Sequence, residues 1–294
     1  MLKELVVMVR NCKHLQGIKY GGDGDYVVDF LEELAFPGKL FLTIIVKKEE
    51  SIWSVVQDFP CFPYTAPRRE ESLCVIAVLV GPFASITAMA IVRSIWPESL
   101  GEVSLSNINL TTSAAATLGK SLSKMTYLRR LQLTGPGDCD SHGGFLNLNT
   151  LFEGFNHVRH LEELYLSNFS VVDSFAPLTE KFRFFADLKK LVLEGVNLDG
   201  DGLCLLLEGS RFIPNLQHLN LSFNPLGSAV RVIASYLDKL PELRELLIYN
   251  DFGYGSEDLK YVWTAAQELR PEISVLWKLS TMETPTFPTV SARR

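Results

Sequence analysis

Six stretches of this chain place apolar residues in one frame, at positions 1, 4 and 6 of a short segment. They read LGEVSL from Leu100, LRRLQL from Leu128, LEELYL from Leu161, LKKLVL from Leu188, LQHLNL from Leu216 and LRELLI from Leu243. Positions 4 and 6 lie two apart, the period of a strand with one buried face. Successive starts are 28, 33, 27, 28 and 27 residues apart, and self-similarity at a near-fixed period marks a repeat array. The longest step contains PGDCDSHGG (136–144), whose glycines and aspartates predict a loop. LCVIAV from Leu73 extends the frame one step upstream. RPEISV from Arg270, 27 residues after Leu243, predicts a degenerate closing copy. Between strands the spacing turns helical: Ala115, Leu118 and Leu122 follow the cap candidates Thr111, Thr112 and Ser113, and Val230, Ile233, Leu237 and Leu240 follow Leu226.

A strand and a helix in every ~28 residues, with leucines buried between them, is the leucine-rich-repeat unit. The predicted fold class is α/β: a leucine-rich-repeat solenoid, or horseshoe, with parallel strands on the concave face and helices on the convex face. Regular repeats are predicted over 73–280, after an irregular region at 1–72 and before a disordered tail at 281–294. Within 1–72, LQGIKY from Leu15 and the helical DYVVDFLEELAF (25–36) predict one repeat. GKLFLTI (38–44) predicts a shortened one, and DFPCFPYTAPRREE (58–71) a proline-rich loop insertion. Asn224 stands at position 9 of the copy that starts at Leu216, where an inward-turned amide can serve backbone groups along the bend. The equivalent residues are Gly81, Ile108, Pro136, Phe169, Val196 and Asp251. Apolar side chains cannot make those bonds, so a ladder of asparagines is expected to be broken.

Composition narrows the function. The net charge of −6 argues against a nucleic-acid binder, which needs a basic face. Five scattered cysteines without a paired spacing point to reduced thiols and a cytoplasmic protein. Residues 72–92 carry no charge and are long enough to span a bilayer. Gly81-Pro82 at their centre and the polar Ser85 and Thr87 favour a strand (Leu73–Val80), a turn and a buried helix (Ala84–Ile95) over a span. No membrane span is expected.

Strand positions 2, 3, 5, 7 and 8 are predicted to face the concave side. Position 3 runs Glu102, Arg130, Glu163, Lys190, His218, Glu245, and position 2 runs Gly101, Arg129, Glu162, Lys189, Gln217, Arg244. Signs alternate along much of both rows, so neighbouring strands about 4.8 Å apart can pair them. Tyr165, Phe223, Leu247 and Tyr249 add exposed apolar anchors of the kind interfaces favour. The candidate partner-binding residues are Arg130, Glu163, Tyr165, Lys190, His218, Asn220, Phe223, Leu247 and Tyr249. No catalytic, cofactor-binding or metal residue is assigned. Asp138, Asp140 and His142 read as a solvated loop, His157 and His160 as surface or capping residues. GGDGD (21–25) reads as a turn without a nucleotide-binding frame.

From Leu73 to Leu276 the repeats resemble the ribonuclease-inhibitor-like subclass of leucine-rich repeats, and within it the C-terminal sensor arrays of NOD-like receptors. The ending LPELRELLIYNDFG, then a helix and PEISVLWKL, is similar to the neuronal apoptosis inhibitory branch of that family. The resemblance implies a non-enzymatic, ligand-sensing and autoinhibitory domain for a protein or other macromolecular ligand. It also implies an upstream nucleotide-binding domain missing from this chain. A second reading is a GTPase-activating protein of the same repeat type, with Arg129, Arg130 or Arg244 as its exposed arginine. A third is an intracellular inhibitor or adaptor scaffold.

Overall fold

The computed structural model describes residues 17–22, 41–46, 74–80, 100–106, 108, 110, 112–135, 145–153, 155–171, 174–249 and 256–277. Among them ten strands form one sheet, ordered β1-β2-β3-β4-β5-β7-β9-β10-β11-β12. These are β1 (Gly17–Gly22), β2 (Phe41–Val46), β3 (Cys74–Val80), β4 (Leu100–Ser106), β5 (Arg130–Thr134), β7 (Glu163–Ser167), β9 (Lys190–Glu194), β10 (His218–Asn220), β11 (Glu245–Leu247) and β12 (Ser274–Leu276). Every pairing between neighbours is parallel. A parallel neighbour requires a crossover connection. From β4 onward helices supply it: Thr112–Leu122, Leu148–Phe152, Ala176–Lys181, Gly200–Gly209 and Ser256–Leu269. The molecule is thus mixed α/β, built of strand-and-helix units laid side by side.

The leucine frame is the frame of the sheet. Glu102, Arg130, Glu163, Lys190, His218 and Glu245 are successive Cα partners, so position 3 of each unit stands beside position 3 of the next. Upstream, Gly17 pairs with Phe41, Phe41 with Val75 and Val75 with Glu102, with a register shift at Cys74/Val75. The predicted repeats from Leu15 and within 38–44 therefore do contribute strands in register. The position-4 residues Val103, Leu131, Leu164, Leu191, Leu219 and Leu246 are buried, as are Leu105, Leu133, Leu166, Leu193, Leu221 and Ile248 at position 6. β5 and β7 alternate half-buried and buried residues, which leaves position 3 and 5 side chains on an open face. The opposite face packs on the helices in one continuous core running from Val103 to Ile273.

The long step after β5 is filled differently. Phe152, Phe155 and Phe185 form an aromatic cluster with centroids 4.8 to 6.4 Å apart. A second, two-stranded parallel sheet joins β6 (Phe145–Leu146) to β8 (Ser170–Val171).

Three expectations are corrected. The closing copy is shifted: Glu245 pairs with Ser274 and Leu246 with Val275, so the last unit starts at Glu272 rather than Arg270. The segment Gly227–Lys239, expected as an ordinary helix, is a 13-residue 3-10 helix. At three residues per turn, i and i+3 eclipse, and buried Val230–Ile233 and Ala234–Leu237–Leu240 form two such ridges. Ser222, placed on the open face by its register, is buried, and its hydroxyl accepts from the Tyr249 N–H at 3.0 Å.

The predicted helices 25–36 and 84–95, the loops 58–71 and 136–144, and the tail 281–294 lie outside the described residues. Among the described residues no helix is long and apolar enough to cross a membrane.

Candidate functional site

The open face divides into two halves along the strands. Its first half carries the charges. Arg130 lies between two carboxylates: one Nη donates to Glu102 at 2.9 Å, the other to Glu163 at 2.9 Å. Its Nε stands 2.9 Å from the second Glu163 oxygen, an ion-pair contact without hydrogen-bond alignment. Tyr165 donates its hydroxyl to Glu163 at 2.7 Å, and Lys190 sits over the Tyr165 ring, 5.3 Å from its centroid. One residue earlier, Arg129 donates to Glu162 at 3.0 Å and Lys189 to the other Glu162 oxygen at 2.7 Å. Apart from the Tyr165–Glu163 bond within β7, each hydrogen bond spans one unit to the next because parallel register sets equivalent positions side by side.

This network perturbs its members. Burial pushes the Glu163 carboxyl up, but hydrogen bonds from Arg130 and Tyr165 outweigh it and hold the group below its ordinary value. The Glu163 hydrogen bond is the largest influence on Arg130 and raises an already strong base. Tyr165 is raised by burial first and by the Glu163 carboxylate second. All three side chains are therefore held in their physiological charge states. The groups are partly exposed, so each ion pair contributes about 0–1 kcal/mol. The buried leucines, at ~2–5 kcal/mol each on truncation, dominate stability instead. The ladder is thus free to vary without loss of the fold.

The second half lies at the strand ends. There Asn220 donates to Glu194 at 2.9 Å while its carbonyl accepts from the Ser222 N–H at 2.9 Å, whereas His218, in the position-3 row of the first half, meets Glu245 at 2.9 Å. Cα partners at position 5 are Tyr165, Val192, Asn220, Leu247 and Leu276. Val192 is buried although it is on the open face, Leu247 and Tyr249 are half-buried, and Phe223 and Leu276 are exposed.

All nine predicted residues thus reach one sheet face or its rim, but as two groups. Arg130, Glu163, Tyr165 and Lys190 are in mutual contact through the network. His218 continues the same position-3 row and pairs with Glu245, while Asn220, Phe223, Leu247 and Tyr249 belong to the strand-end half. Glu194, Val192 and Leu276 were missed. Position-5 and position-7 spacing was the signal that would have found them. His157 and His160 are exposed, and His160 meets Asp187 of the following unit at 3.2 Å.

Beneath the bend, Asn224 is fully buried. Its Oδ1 accepts from the N–H groups of Val196 and Leu198 at 3.0 Å each. Its Nδ2 donates to the carbonyls of Leu193, Leu221 and Ser222 at 2.6, 3.0 and 3.1 Å. At the same position, Ile108, Phe169 and Val196 are buried apolar residues, so the amide is confined to one bend among those three and its own.

No family model matches the chain, and no curated protein matches it. Among solved structures, a crystal structure of a Bacteroides fragilis protein is similar at 17% identity and a TM-score of 0.44. The likeness covers 72% of this chain and 67% of that one. It is too slight to bear on fold or function.

Proposed function

We propose that the chain is a leucine-rich-repeat horseshoe of the ribonuclease-inhibitor-like kind, with its open sheet face as the concave lining. In this reading it is a non-enzymatic protein-interaction and ligand-sensing domain of a cytoplasmic NOD-like receptor. It senses a macromolecular ligand and holds the receptor inactive, with nucleotide binding left to another part of the receptor. The observation that carries the reading is the open face itself: six units in one register present a continuous row of side chains, charged along one half and apolar along the other. An array of stacked units suits broad recognition because each unit touches only its neighbours and any rung can vary alone.

The state of Arg130 favours binding over GTPase activation. An arginine acting on a transferring phosphate must offer a free guanidinium, and Arg130 would first have to leave both Glu102 and Glu163. Arg129 is likewise held by Glu162. The test is GTP hydrolysis by a panel of small GTPases in the presence of the chain. No stimulation is expected. Stimulation that disappears with Arg130→Ala contradicts the proposal and moves the assignment to a GTPase-activating protein.

A further inference from the structure

The bends after β7, β9 and β10 share one backbone shape. At position 8 of these units, Asn168, Gly195 and Phe223 have φ of 58°, 59° and 59°. Each N–H donates to the position-7 carbonyl of the following unit: Asn168 to Glu194 at 2.9 Å, Gly195 to Ser222 at 3.0 Å, Phe223 to Tyr249 at 2.6 Å. Three successive bends thus share the left-handed shape, whereas Gly135, at the same position after β5, makes the same bond to the Ser167 carbonyl at 2.8 Å outside that region. Glycine accepts it without cost and asparagine at little, whereas a bulky side chain is strained there. Two bends carry the residue types the shape asks for. The third carries a phenylalanine that leaves 37% of its surface in water. Local folding does not account for that choice, and strain held at an exposed aromatic points to use.

The surroundings define what would use it. From β4 to β12, Glu194 is the single charged side chain among the described residues at positions 5, 7 and 8. Its carboxylate accepts from Asn220, and no described cation forms an ion pair with it. The described cations at positions 2 and 3 that flank it, Lys189 and Lys190, are engaged with Glu162 and the Tyr165 ring. Glu194 ends β9, and Phe223 lies three residues past the end of β10, the neighbouring strand about 4.8 Å away in the sheet direction. Leu247, Tyr249 and Leu276 continue the apolar surface beyond them.

We infer that Phe223 anchors a patch on β9, β10 and β11 that takes a basic–apolar protein segment. An aliphatic or aromatic side chain of the partner lies against Phe223, Leu247 and Tyr249, and an adjacent arginine or lysine places its charge at Glu194. The net charge of −6 on the chain favours the approach of such a partner. The inference rests on the open face being an interaction surface and narrows it to one half and one ligand chemistry.

The test is selection of a phage-displayed random linear peptide library on the immobilised full chain, followed by fluorescence anisotropy with the recovered peptides. The expected peptides carry arginine or lysine within two residues of a large apolar side chain. Phe223→Asn and Glu194→Gln should each weaken them at least tenfold, while Phe223→Asn leaves Tm unchanged or raises it by about 2–4 °C. A fall in Tm with Phe223→Asn would mark a structural role and overturn the anchor. Recovery of only acidic peptides, or of none that prefers wild type to Phe223→Asn, overturns the patch. Peptides lost with Lys190→Glu but kept by Phe223→Asn also overturn it, while leaving the open face as the interaction surface. Peptides indifferent to every one of these substitutions overturn the interaction surface as well.

Discussion

Asn224 and Glu163 show how single residues divide the labour between fold and face. Asn224 satisfies two buried N–H groups and three carbonyls in a place that water does not reach. Asn224→Ala leaves the Val196 and Leu198 donors without that acceptor, and each orphaned buried group costs ~1–3 kcal/mol. A loss of about 3 kcal/mol is expected in urea unfolding monitored by circular dichroism. Loss below about 1 kcal/mol would mean that water or the backbone serves those groups instead. Glu163 acts on the other side of the sheet. Its carboxyl is held below its ordinary value of 4.5 by Arg130 and Tyr165, so the folded state binds its proton less readily than the unfolded chain does. The stabilisation is fully present above the ordinary value and is lost as pH falls through the lower, folded-state value. A pH series of unfolding free energies should show that acid-side slope in wild type and a shallower one in Glu163→Gln.

At the level of elements, the leucine frame was legible because burial selects it: Leu131, Leu164, Leu191, Leu219 and Leu246 stand at equivalent places in one core. The closing strand was not, for a reason specific to sheets. A one-residue slip exchanges the two faces, but a two-residue slip keeps them. RPEISV therefore fits the apolar pattern whether Ile273 or Val275 is set at position 4, and only the pairing of Leu246 with Val275 decides. Ser222 escaped for the opposite reason, since a small hydroxyl can be buried once it has a partner. The left-handed bend at Phe223 left a trace in Asn168 and Gly195 at the same position, visible only after the units are stacked. Arg270 ties the last unit on. Its guanidinium donates to the Leu237 and Leu240 carbonyls at 3.3 and 3.2 Å and to Pro241 at 2.8 Å, and it also pairs with Glu272. These carbonyls lie at the end of the 3-10 segment, where those of Leu237 and Leu240 also accept the Leu240 and Leu243 N–H groups, so the guanidinium gives each a second bond. Arg270→Ala should cost ~1–2 kcal/mol and speed amide exchange in Ser256–Leu269 before the units near β7. Uniform exchange along the chain would instead place the last unit within one cooperative block.

For the whole molecule, the register of ten parallel strands makes one face from residues far apart in sequence, and the division of that face is its main functional statement. The charged half is neutralised by its own neighbours. In the proposed reading, the apolar half with Glu194 supplies the contact area. What the sequence could not show is which half a ligand takes, because exposed side chains at equivalent positions look alike until their partners are known. Hydrogen-exchange mass spectrometry of the full chain, with and without a saturating peptide recovered by the library selection, addresses this most directly. The account predicts slowed exchange in 190–194, 218–223 and 245–249 and none in the helices Thr112–Leu122 and Gly200–Gly209. Protection confined to those helices, with the three strand segments unchanged, would contradict it.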